Sequence, residues 1–94
     1  MKKINLAITG CLGRMGNQLI VSSKKDKSFK ITSLTENKLI KKKINGINIS
    51  LNTPHSLKEA SVIIDFTVPK CTLEILKIAS KLKKRVVIGT TGFS

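Results

Sequence analysis

The stretch Lys3-Ile4-Asn5-Leu6-Ala7-Ile8-Thr9-Gly10-Cys11-Leu12-Gly13-Arg14-Met15-Gly16 decides the fold. Its first half, Lys3 to Thr9, is a short apolar run rich in isoleucine, the pattern of a buried strand. Gly10 ends that run. From Gly13 to about Lys24, Met15, Leu19, Ile20 and the small Ser23 recur at helical spacing, so a helix follows the turn directly.

Working outward, Phe29 to Glu36 carries β-branched residues and alternates Phe29, Ile31 and Ser33 with Lys30, Thr32 and Leu34, which predicts a second strand. Asn37 to Asn45 is polar and lysine-rich and is expected to be a loop. Gly46 to Leu51 alternates again and predicts a short strand at a sheet edge. Ser56 to Glu59 predicts one helical turn, and Ser61 to Phe66 a strand buried on both faces and interrupted only by Asp65. Pro69 stands at a first helical position, with Leu73, Ile75, Leu76, Ala79 and Leu82 on one side of a helix running to Lys84. Arg85 to Ile88 is the next strand, and Gly89 to Gly92 its exit loop.

The order β-α-β-β-β-α-β predicts an open parallel α/β sheet. Right-handed crossovers on either side of the first strand put the two long helices on opposite faces, so the sheet is doubly wound. Ligands bind such sheets outside the carboxyl ends of the strands, where the strand order reverses. Three segments converge there: Gly10 to Gly16, Phe66 to Pro69, and Gly89 to Gly92.

Ninety-four residues suffice for one domain and not for two. Eighteen basic against five acidic residues give +13, which invites a nucleic-acid partner. The residue types argue otherwise: Arg14 and Arg85 are the only arginines, Trp and Tyr are absent, and Phe29, Phe66 and Phe93 are scattered. The expectation is no nucleic acid, and a lysine-rich surface that reflects compositional bias. No apolar run approaches the roughly 18–20 residues of a membrane span, and the run Ile4 to Ile8 is short of the roughly 7–15 of a secretory signal. A cytoplasmic chain without membrane contact is therefore expected. Cys11 and Cys71 belong to no CxxC pair, so no metal site is indicated.

Within Gly10 to Gly16 the glycines are spaced GxxGxxG. Gly10 allows a tight turn, Gly13 lets backbone approach a pyrophosphate, and Gly16 lets the helix pack close to the sheet. The helix N-terminus adds amide hydrogens and the positive end of its dipole. Glu36, twenty residues past Gly16, is placed to accept from adenosine ribose hydroxyls, or is a solvated strand-end charge. Its carboxylate repels a 2′-phosphate that Lys38 and Arg14 could neutralise, so both NADH and NADPH are expected to bind. Asp65 either orients a loop at the sheet edge or is an ordinary strand-end polar residue. Cys11 and Cys71 each precede or open a helix, but read best as small residues in tight places. His55 stands alone. No catalytic arrangement of His, Cys, Ser or Lys is apparent.

The segments Ile8 to Gly16, Glu36, Ile64-Asp65-Phe66-Thr67-Val68-Pro69 and Val87-Ile88-Gly89-Thr90-Thr91-Gly92-Phe93 together resemble the amino-terminal part of the 4-hydroxy-tetrahydrodipicolinate reductase family. The resemblance spans all 94 residues. It implies a Rossmann-like dinucleotide-binding domain over residues 1–94, incomplete at its carboxyl terminus, with the substrate and tetramerisation domain absent. It implies an NAD(P)H-dependent reductase of the diaminopimelate route to lysine, acting on a cyclic dicarboxylate and homotetrameric at full length, whose catalytic residues lie outside this chain. The fragment alone would then be inactive. By position, Gly10, Cys11, Leu12, Gly13, Arg14 and Met15 form the phosphate loop, and Glu36 and Asn37 the ribose site. Gly89, Thr90 and Thr91 fall at the nicotinamide, Thr91 also at the substrate, and Phe66 and Thr67 line the same cleft. Many members carry Arg where Asn37 stands, and some carry Arg at the place of Val68. Another NAD(P)-dependent dehydrogenase and a non-catalytic basic nucleotide- or RNA-binding module are the alternative functions.

Overall fold

A computed structural model describes residues 3–38, 40–44, 46–67 and 69–89. Along the chain these form β1 (Ile4–Thr9), α1 (Arg14–Lys25), β2 (Phe29–Glu36), β3 (Lys43–Ile44), β4 (Ile47–Leu51), α2 (Pro54–Leu57), β5 (Val62–Asp65), α3 (Pro69–Leu82) and β6 (Arg85–Ile88). The strands build one sheet in the order β3-β4-β2-β1-β5-β6.

β1 lies at the centre, parallel to β2 on one side and to β5 on the other. β4 continues the parallel sheet beyond β2, and β6 continues it beyond β5. α1 carries the chain from β1 outward to β2, and α3 carries it from β5 outward in the opposite direction. Two cores result, one on each face. Ala7 and Ile63 pack with Leu57, Ala60, Ile75 and Ala79 under α2 and α3. Ile8 and Leu34 pack with Cys11, Ile20 and Ile49 under α1. Each fully buried isoleucine contributes about 1.5–3 kcal/mol, so the alternation along β1 is enough to fix which helix covers which face.

The structure corrects the sequence reading in four places. The lysine-rich loop contains β3, which pairs antiparallel with β4, so the sheet is mixed and β4 is not its edge. Two residues are too few to register as a strand by periodicity. Next, the alternation read along β2 is broken. The pairing of β1 with β2 steps from Leu6–Ile31 to Ala7–Ser33, leaving Thr32 as an extra residue whose hydroxyl donates to the Leu6 carbonyl at 3.2 Å. Ile31 and Leu34 therefore both join the α1-side core, while Ser33 turns to the other face and donates to the Ser56 carbonyl. The short helix α2 begins earlier than expected, because the Thr53 side chain accepts from the Ser56 amide at 3.1 Å and Pro54 follows the cap. Finally, α3 stops at Leu82, where Lys83 takes φ 55° and the Lys84 amide reaches back to the Ala79 carbonyl at 2.9 Å.

Candidate functional site

The exits of β1, β2, β5 and β6 meet at the carboxyl edge of the sheet. The Gly10 and Cys11 amides both donate to the Thr35 carbonyl of β2, at 2.9 and 3.3 Å. The Leu12 amide donates to Glu36 Oε2 at 2.7 Å, and the Gly13 amide to the Gly10 carbonyl at 3.1 Å. Four consecutive amides are thus taken up in winding the turn, and Glu36 is bound to the glycine loop itself.

The three glycines of the turn have different reasons. Gly10 has φ +68°, and a Cβ there would lie 2.9 Å from the Phe66 carbonyl carbon, so β1 can turn against the β5 exit only with glycine. A Cβ on Gly16 would lie 2.7 Å from the Gly10 carbonyl oxygen and 2.9 Å from Cys11 Cα, so α1 seats on its own turn. Gly13 is another case: its Cβ would meet only the Gly10 oxygen, at 3.4 Å, in an ordinary extended backbone with φ −72°. Protein packing leaves room above Gly13 that a side chain would fill.

Gly13 is also the N-cap of α1 and offers no side-chain acceptor, and the first turn has no acidic residue. The opening amides of a helix have no acceptor within it, and they carry the positive end of its dipole. Arg14 and Met15 are exposed there. Beside them lies a cleft of about 360 Å³ lined by Cys11, Leu12, Gly13, Arg14, Asn17, Lys42 and Ile44. Glu36 is half-buried at its margin, and Asn37 and Lys38 are exposed.

Asp65 is fully buried at the end of β5 and ties three elements together. Its Oδ1 accepts from the Thr9 hydroxyl at 2.6 Å, the Thr67 hydroxyl at 2.6 Å and the Thr67 amide at 3.0 Å. Its Oδ2 accepts from the Thr72 hydroxyl in the first turn of α3. Burial alone would raise this carboxyl, but the Thr67, Thr72 and Thr9 hydroxyls and the Thr67 amide together hold it below the ordinary carboxylate range. Asp65 is therefore a loop-orienting residue, the first of the two roles open from sequence. The Gly89 amide donates to the Asp65 carbonyl at 2.8 Å, and the Phe66 ring lies against Gly89.

Gly10, Cys11, Leu12, Gly13, Arg14, Met15 and Glu36 thus occupy one edge with Phe66, Thr67 and Gly89. Val68, Thr90, Thr91, Gly92 and Phe93 lie outside the described residues. Sequence reasoning passed over Thr9, Thr72 and Lys42. The Asp-Phe-Thr triplet and a threonine in the first turn after Pro69 were the available signals for the threonine cluster; nothing marked Lys42 among its lysine neighbours. Burial, with the Glu36 charge, pushes the Cys11 thiol up to about 11, which makes it a space-filling residue under the turn. His55 is exposed on α2. Among the described residues no group of His, Cys, Asp or Glu could hold a metal ion, and no helix is long and apolar enough to cross a membrane.

A mostly parallel sheet wound in both directions, with a glycine turn at its central strand, is a Rossmann-like α/β fold. Solved structures agree. A protein named RSP in complex with beta-NADH superposes with a TM-score of 0.79 at 13% identity, over 97% of this chain and 47% of that one. Aspartate semialdehyde dehydrogenase with NADP from Candida albicans gives 0.78 at 15% identity, over 96% of this chain and 30% of that one. At such identities the likeness is one of fold. The sequence supplies the narrower assignment: residues 4–94 match the family described as dihydrodipicolinate reductase, N-terminus, and the chain belongs to that family. The 4-hydroxy-tetrahydrodipicolinate reductase of Pelagibacter ubique (strain HTCC1062) is 73% identical over 94 residues, all of this chain and 36% of the relative. The enzyme of the same name from Buchnera aphidicola subsp. Acyrthosiphon pisum (strain Tuc7) is 41% identical, over 99% of this chain and 39% of the relative. The chain thus spans little more than a third of the length of these curated relatives.

Proposed function

We propose that residues 1–94 are the dinucleotide-binding domain of a 4-hydroxy-tetrahydrodipicolinate reductase and hold NADH or NADPH at the carboxyl edge of the sheet. The observation that carries this is Gly13. Its missing side chain answers no need of the protein's own packing, and it sits where α1 presents uncapped amides. That arrangement suits a pyrophosphate, which needs backbone to approach closely and amide hydrogens to meet its oxygens. Glu36 suits the adenosine ribose, since the Leu12 amide engages Oε2 and Oε1 remains for a hydroxyl donor.

In this reading Gly10, Cys11, Leu12, Gly13, Arg14 and Met15 form the phosphate loop, and Glu36 with Asn37 holds the ribose. Arg14 balances phosphate charge from the exposed first turn of α1. Gly89, Thr90 and Thr91 flank the nicotinamide, with Thr91 also at the substrate. Asp65 fixes the Phe66–Thr67 wall by holding Thr67 at both its amide and its hydroxyl. The bound cofactor supplies a hydride to a cyclic dicarboxylate substrate in the lysine-forming diaminopimelate route. The residues of this chain bind and orient it, and the acid–base groups belong to a further domain, as do the surfaces of a homotetramer. A cytoplasmic location without nucleic-acid partners accords with such an enzyme.

The test uses the full-length protein. NADH and NADPH should each raise its thermal midpoint, by an amount equivalent to about 2.7 kcal/mol at a hundredfold excess over Kd. Reduced nicotinamide should be consumed only when 4-hydroxy-tetrahydrodipicolinate is added. Gly13→Val should fold and lose at least about tenfold in dinucleotide affinity, because the new side chain fills the space over the helix amides. Unchanged affinity in that variant would refute the assignment.

A further inference from the structure

The cleft beside the glycine turn has one wall that the turn does not provide. Lys42 and Ile44 reach it from the segment before β4. That segment is firmly seated. Ile40 and Ile44 pack into the core on either side of Lys42, the Ile49 amide donates to the Lys42 carbonyl at 3.0 Å, and Lys43 and Ile44 pair with β4. Of the lysines at 38, 41, 42 and 43, only Lys42 lines this cleft. Glu36 accepts from the Leu12 amide of the same turn whose residues line the cleft with Lys42, so the two opposite charges both belong to its surroundings.

Resting on the proposed function, we infer that Lys42 is a specificity-determining residue: it lines the same cleft as Arg14 and supplies the cation that admits a 2′-phosphate beside the Glu36 carboxylate. A 2′-phosphate adds close to two negative charges next to a carboxylate, and the neutral Asn37 offers nothing to offset them. NADH lacks that phosphate and needs only Glu36. With Lys42 and Arg14 in place, two cations answer one carboxylate, and both dinucleotides are accepted. Lys38 is exposed and, unlike Lys42, does not line the cleft with Arg14, so the choice is assigned to Lys42.

Dissociation constants for NADH and NADPH, measured by calorimetry on the full-length protein and its Lys42→Met, Lys42→Arg and Lys38→Met variants, test this. Lys42→Met should weaken NADPH about five- to tenfold and leave NADH within about twofold. Lys42→Arg should restore NADPH, and Lys38→Met should leave the ratio of the two constants unchanged. Because Lys42 is exposed, these variants keep the fold. A ratio unmoved by Lys42→Met, or moved instead by Lys38→Met, overturns the inference while NADH binding still stands. Loss of both dinucleotides in the unsubstituted protein overturns the proposed function along with it.

Discussion

Replacing Asp65 by Asn removes a charge and keeps the shape, which isolates what the carboxylate does. Among the described residues the side chain accepts from three hydroxyls and one amide drawn from β1, the β5 exit and α3. Hydrogen bonds to a charged acceptor are worth about 1.5–3 kcal/mol each, against about 1 kcal/mol between neutral groups. Asn keeps Oδ1 for its donors at neutral strength and turns an amide toward the Thr72 hydroxyl, which can accept it. The loss is therefore a difference per bond and not the whole bond, at least about 0.5 kcal/mol each and so at least about 2 kcal/mol over the four. Asp65→Ala should cost about 4 kcal/mol, less than four full bonds, because the hydroxyls have second choices. Thr67 and Thr72 already stand 3.3 Å apart, and Thr9 lies 3.5 Å from the Ile64 carbonyl.

The same carboxylate sets an acid limit on stability. Its folded value lies below the ordinary range and the unfolded chain titrates near about 4, so the stabilisation is complete above that pH and is lost as pH falls through the folded value. Urea unfolding followed by circular dichroism at about pH 7, and again in steps below about pH 4, measures both effects. The wild type should lose stability in acid more steeply than Asp65→Asn, so the two curves converge. A variant within about 0.5 kcal/mol of wild type at neutral pH, or curves that stay parallel in acid, would show that Asp65 does not hold the site edge together.

Gly16→Ala should destabilise the fold by about 2 kcal/mol or more despite alanine's better helix propensity, because its Cβ would press on backbone atoms of Gly10 and Cys11. Gly13→Val should cost only about 1 kcal/mol in the same denaturation assay, and comparable losses would erase the distinction between a packing glycine and a ligand glycine. In the folded protein near about pH 8, iodoacetamide should label the half-buried Cys71 and spare Cys11, whose thiol is buried and pushed up to about 11. Equal labelling by mass spectrometry would contradict the packing of the turn over Cys11.

Much of this fold was legible because its decisive residues act locally. Thr9 followed by Gly10, and Pro69 ahead of an amphipathic stretch, mark an exit and an entry that no long-range contact is needed to specify. The topology followed from chirality: once two helices leave the central strand in opposite directions, the faces they cover are settled. What sequence could not give was contact made across the sheet. The extra residue at Thr32 reverses the facing of Ser33 and Leu34, and only the partner strand's hydrogen bonds decide where such a bulge falls. Asp65 had two readings until Thr9, more than fifty residues away in sequence, was found donating to it. β3 escaped because two residues carry no period.

The net charge shows the same division between local and global information. A surplus of +13 creates a field that draws any dinucleotide toward the protein, and it acts on NADH and NADPH alike in kind. Beyond about 8 Å at physiological salt that field is screened, so the lysines scattered over the surface cannot tell a 2′-hydroxyl from a 2′-phosphate. Discrimination requires charges at contact distance from the ribose. Among the described residues Arg14 and Lys42 line one cleft beside the turn that binds Glu36, and the proposed function puts the ribose there. On the proposed reading, two of eighteen basic residues carry the cofactor choice, and that role would follow from the β1 exit and the segment entering β3 that place them, not from the abundance of lysine in the chain.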